Sequence, residues 1–208
     1  MNNGIKISEN EYPGLLQTHL CINPTTAETE KEGQDLKRNN LEDWNQLQEF
    51  IKHVCKWGGG QGHRLKGQIL NINNNPPEIL KQKFNDVISK LGSQPPNIRE
   101  AIHVMRQVKY LGGISFASKH LRFLFPKLCP VLDKILSEHL LNKPYDKLID
   151  EDYEQFSRYC TDIARRLEEK KIDNPFPGRN SIWYPCDVEA AIFTHVRAKM
   201  AALQIPMQ

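Results

Sequence analysis

The stretch Leu111-Gly112-Gly113-Ile114-Ser115-Phe116-Ala117-Ser118-Lys119-His120-Leu121-Arg122-Phe123-Leu124 decides the fold. Before it, Ile98, Ala101, Ile102, Met105 and Val108 recur every three or four residues, and the glycine pair stops that helix. Small residues fill the bend and Ser118 is placed to cap the next helix, so the segment reads as helix, tight turn, helix. Outward-pointing amides at such a bend and helix start suit a phosphate, and would hold a nucleic-acid backbone without reading its sequence.

With Ser118 as cap, Lys119 falls in the first helical turn. The positive end of the helix dipole and Arg122, three residues on, both disfavour the ammonium form. An uncharged amine is a nucleophile able to form a Schiff base. Asp133 follows Pro130-Val131-Leu132 at another helix start, where amides would keep its carboxylate ionised. Phe125-Pro126 lets the chain double back, so that amine and carboxylate can share one cleft.

Outward from this segment the period stays helical. Asn40 can cap a helix through Leu41, Trp44, Leu47, Ile51 and Val54. A second, from Pro76-Pro77 to Gly92, carries Leu80, Phe84, Val87, Ile88 and Leu91. Leu132 to Leu140 and Phe156 to Leu167 repeat the spacing, and a last helix should begin near Asp187. Strand-like alternation is almost absent, so an all-α protein of about seven to nine short helices is expected. Residues 1–38 are polar and broken by Asn-Pro and Pro-Gly, and read as an arm with at most a short helix near Leu15 and Leu16.

The 208 residues, 39% hydrophobic and 25% charged, suit one packed domain and exclude a disordered chain. No apolar run reaches the ~18 residues of a membrane span and the N-terminus lacks a signal pattern, which points to a cytoplasmic protein. Five cysteines without a C-x-x-C pair indicate neither a disulfide framework nor a zinc site, so no metal is expected. The net charge of +3 is small, but the balance from Arg99 to Lys134 is +5, whereas that from Glu28 to Glu49 is −4. One region can face a polyanion and the other cannot. Four glycines crowd Trp57-Gly58-Gly59-Gly60-Gln61-Gly62-His63-Arg64, which reads as a sharp turn or a loop pressed against a ligand.

Taken together, the turn, Lys119, and Pro130-Val131-Leu132-Asp133 resemble the helix-hairpin-helix DNA glycosylases, in particular a bacterial branch that removes 8-oxoguanine. The likeness spans about residues 41–200 and departs from the family in the hairpin, where Gly-hydrophobic-Gly is usual, and in a short Lys-to-Asp interval of 14 residues. It implies a two-lobed helical fold, the lobes being about 39–95 plus the C-terminal helices and 96–150, with a cleft between them. It implies Lys119 attacking the sugar of an extruded nucleotide, supported by Asp133, with lyase activity. Gln61 and Arg64, in the loop that includes Gly60, would occupy the gap in the duplex, His63 could contact phosphate, and Gly113, Ser115, Ala117, Ser118 and Arg122 would bind the DNA beside the extruded nucleotide. Phe123, Trp183, Tyr184 and Phe193 are candidates to stack on the base. The expected partner is double-stranded DNA, bound by a monomer without a cofactor in a prokaryotic cytoplasm. Its substrate would be an 8-oxoguanine-type purine or a hypermodified phage base, the latter making the protein an antiviral defence factor. The alternative is a non-catalytic helix-hairpin-helix module that only binds duplex DNA.

Overall fold

A computed structural model describes residues 6–39 and 41–203, apart from the side chains of Gly60 and Gln61. The described residues form ten α-helices and no strand. They are α1 (Tyr12–Ile22), α2 (Thr26–Arg38), α3 (Trp44–Trp57), α4 (Gly60–Ile69) and α5 (Pro77–Gly92). The second half holds α6 (Ile98–Arg106), α7 (Ile114–Leu124), α8 (Lys134–Leu140), α9 (Asp150–Glu169) and α10 (Pro185–Leu203). No described helix is long and apolar enough to cross a membrane.

The expected helices appear where apolar period and caps agree. Helix α5 runs from the expected proline to the expected glycine, and Asp133 caps α8 by accepting the Leu136 amide at 2.9 Å. Asp43 caps α3 through the Asn45 amide, whereas the expected cap Asn40 lies outside the described residues.

Residues 1–38 are not an arm over residues 12–38, which fold as α1 and α2 and enter the core. The buried face of α2 explains why the sequence conceals it: Thr26, Thr29, Glu30, Gly33 and Leu36 keep helical spacing, but only one of them is strongly apolar. That face is built for close approach and hydrogen bonds rather than for hydrophobic bulk. Gly33 meets the Phe123 carbonyl of α7, and Gln34 Nε2 donates to the Phe123 and Leu124 carbonyls, 3.1 Å from each, satisfying the end of α7. Thr26 accepts a bond from the Trp57 indole N–H at 3.0 Å. Glu30 pairs with Arg179 at 2.8 Å, and Arg179 also reaches Asp187 in the first turn of α10 at 3.0 Å. Asn174 adds a bond to Asp187, so the buried pair of carboxylates is closed by donors on several sides.

The outcome is a single helix at the centre. Nine of the eleven residues of α7 are buried, leaving only Ser115 and Lys119, one turn apart, on the stripe that other helices leave uncovered. A Cβ at Gly33 would collide with backbone on α7, which cannot swing aside as a side chain can. Gly33→Ala should therefore destabilise the fold by about 1–3 kcal/mol, read as a lower denaturant midpoint; an unchanged midpoint would show that α2 is not closely seated on α7.

Candidate active site

Three bonds hold the chain between α7 and α8 beside Lys119. Ser118 Oγ accepts the Leu132 amide at 3.2 Å, the Tyr153 hydroxyl donates to the Pro130 carbonyl at 3.0 Å, and the Val131 amide donates to Glu189 Oε2 at 3.3 Å. They set Asp133 at the rim of the cavity into which Lys119 projects. The volume is about 590 Å³, within the range of small-molecule sites. Helix α1 and its C-cap supply His19 and Asn23 to its wall, the end of α3 and its C-cap supply Trp57 and Gly58, and α10 supplies Phe193 and Arg197. The Lys119 stem passes so near Gly58 that a Cβ there would stand 3.3 Å from it.

Helix α7 begins at Ile114 with Gly113 as its cap, so Ser118 is interior and Lys119 lies in the second turn. Its lowered pKa therefore comes from burial, which disfavours the ammonium, and not from the helix start; Asp133, Glu189 and Cys55 act in the opposite direction. The Nζ sits over the Phe116 ring at 4.5 Å. Asp133 was expected to be kept ionised by helix amides. Burial instead raises its pKa, against the Leu136 amide and Lys119. No direct hydrogen bond or ion pair joins Lys119 to Asp133 among the described residues, so the amine is open towards the cavity.

Other expected residues divide sharply. Phe193 lines the cavity. Phe123 is buried beneath it, edge-on to Trp57 with centroids 5.1 Å apart. Trp183 is core, packed on Tyr12 and donating its indole N–H to the Ile172 carbonyl at 2.8 Å. Tyr184 faces elsewhere, stacked on Arg179 at 3.9 Å. Arg122 cannot contact a phosphate: it is 0% exposed, against the Trp57 and Phe123 rings, and its three guanidinium nitrogens have no hydrogen-bond partner among the described residues. Ala117 and Ser118 are also buried, and the Ala117 amide is spent on the Gly113 carbonyl, so only residues 113–115 present free helix-start amides. The glycine-rich stretch is less a loop than a single turn: Gly59 has φ +80° and α4 starts at once. Gly62 packs against the Cys55 carbonyl, while His63 and Arg64 are exposed on α4. The side chains of Gly60 and Gln61 lie outside the described residues.

Sequence reading missed His19, Trp57 and Glu189. Trp57 borders the glycine turn, and Glu189 is a lone acid within Val188-Glu189-Ala190-Ala191-Ile192, a pattern that marks a buried carboxyl. His19 gave no signal, because α1 itself was concealed. Among the described residues no group of three His, Cys, Asp or Glu side chains is arranged to hold a metal ion. All five cysteines are free, and four are buried.

Comparison of the chain with models of known families, with curated proteins and with solved structures finds no match in any of the three.

Two buried imidazoles tie the stability of this region to pH. Burial holds His19 down at about 3 and His120 at about 4. Below the ordinary value of 6.5 the unfolded chain binds protons that the folded chain refuses, so stability is lost as the pH falls from 6.5 towards 4. Urea midpoints measured over that range should fall with pH, and the slope should flatten in His19→Gln; a slope unaffected by the substitution would mean that His19 is not buried against α10.

Proposed function

We propose that the protein is a DNA glycosylase with lyase activity, acting on a damaged or modified base through Lys119. The observation that carries this is the placement of a half-buried amine, disfavoured as ammonium, beside a carboxylate in a cavity large enough for an everted base. The succession of α6, a glycine-containing turn and α7 supports the helix-hairpin-helix assignment, and with it the two-lobed cleft.

Duplex DNA hides the sugar C1′ from any side chain, so the nucleotide must be extruded, at a cost of a few kcal/mol. The free amides at residues 113–115 and the exposed His63 and Arg64 are available to hold the backbone and the opened duplex. In the cavity the base would lie against Phe193 and Trp57, whose rings suit a flat π surface. Lys119 Nζ then bonds to C1′ as the glycosidic bond breaks, and Asp133 stabilises the positive sugar in the electrostatic sense familiar from glycoside cleavage. Opening of the sugar ring converts the adduct to a Schiff base, from which strand cleavage follows.

An 8-oxoguanine-type purine and a hypermodified phage base both remain as substrates of this chemistry. A module that merely bound duplex DNA would gain nothing from a buried amine, which costs folding energy for every bit of charge it forgoes in water.

Borohydride should trap the wild-type protein covalently on an abasic duplex, and Lys119→Gln should abolish the adduct. Asp133→Asn should keep DNA affinity while slowing turnover by about 10²–10³-fold. Undiminished trapping by Lys119→Gln would contradict the assignment of the nucleophile.

A further inference from the structure

We propose that Glu189 is a second catalytic residue of this cavity, the general acid that gives its proton to the departing base while Lys119 takes the sugar. This presupposes the glycosylase chemistry above and supplies the proton donor it lacks.

Glu189 stands on α10 one turn before Phe193, the aromatic wall, and lines the same cavity as Lys119 and Asp133. It is 3% exposed, and among the described residues its carboxyl accepts only the Val131 amide, at 3.3 Å. The groups that face it are Lys119 and Arg122 of α7, Asp133 at the head of α8, and Tyr153 and Cys160 of α9. His19 of α1 and Arg197, further along α10, line the same cavity.

Counting charge in this enclosure shows which carboxyl keeps its proton. Arg122, a guanidinium with no hydrogen-bonded acceptor among the described residues, attracts the Glu189 carboxylate. Lys119 attracts both carboxylates, less strongly because burial disfavours its ammonium, and Arg197 attracts that of Asp133. The two carboxylates repel each other in a site this deep, so ionisation of one raises the pKa of the other. Asp133 is less enclosed and accepts the Leu136 amide at 2.9 Å, so it takes the charge. Glu189 is deeper and holds a longer, single bond; burial and the Asp133 charge push it up to about 8, against Arg122. Two neighbouring carboxyls driven apart in this way form an acid and an anion, the division of labour that bond cleavage at a glycosidic carbon requires.

The protons balance. The Glu189 O–H proton passes to a ring nitrogen or oxygen of the base, the glycosidic bond breaks with its electron pair going to the base, and the base departs neutral. Lys119 Nζ bonds to C1′ and becomes a secondary ammonium. It returns one proton to the Glu189 carboxylate, restoring the acid before the ring opens.

An abasic site has no base to protonate, and this separates the acid from the nucleophile. Glu189→Gln preserves the acceptor for Val131 and removes only the proton. It should still be trapped by borohydride on an abasic duplex, losing far less there than in base release, which also shows that it folds. Single-turnover base release is then measured on duplexes carrying 8-oxoguanine, glucosylated 5-hydroxymethylcytosine or ordinary bases. Wild-type release should fall as the pH rises through about 8, when the acid ionises. Glu189→Gln should be slower by about 10²–10⁴-fold and lack that alkaline limb. Release by Glu189→Gln at the wild-type rate overturns the acid role and leaves the glycosylase proposal standing, and so does an equal loss of trapping and release. A wild type that traps the abasic site but frees no base overturns it too, since a lyase without a leaving base needs no acid. Absence of any wild-type adduct overturns the glycosylase proposal itself.

Discussion

Enclosure of α7 is the constraint on which everything else depends. A helix buried on nearly all sides can place a long cationic side chain in only two ways, out through the uncovered stripe or into the interior with its charge. Lys119 takes the first and Arg122, three residues later, the second. The closeness that makes this possible is supplied by α2, whose Gly33 and Gln34 press directly on the backbone end of α7.

Two buried arginines show what burial demands. Arg179 has Glu30 and Asp187 at hydrogen-bond distance, with Phe176 and Tyr184 above and below its plane. It ties α2 to α10 as a completed structural joint. Arg122 has aromatic rings for neighbours and no acceptor, an arrangement that costs stability unless its charge serves something nearby. Its field reaches the Glu189 carboxyl at the cavity wall, where it opposes the burial that favours the protonated acid.

The sequence made the apolar helices legible because period and punctuation coincide in them, as in the proline-to-glycine span of α5. Helices α1 and α2 were concealed for a physical reason: α2 buries threonines, a glutamate and a glycine, which carry helical spacing without hydrophobic contrast. At the candidate site, Lys119 and Asp133 line one cavity in keeping with the spacing argument, together with Phe193, one of the four candidate aromatics. The explanation offered for the amine differed, because a serine in a small-residue run looked like a cap when Gly113 already served. His19 and Trp57 come from elements whose relation to α10 only packing reveals. Arg122 was misplaced because sequence gives a charge but not the side of the helix it faces.

The central claim is that burial lowers the pKa of the Lys119 amine below that of an ordinary lysine. Isotope-edited NMR titration of the lysine side chains, assigned through Lys119→Gln, tests it directly. The resonance that disappears in the variant should titrate below the ordinary lysine value of 10.5. If it titrates with the exposed lysines, the amine is solvated and the site has no ready nucleophile.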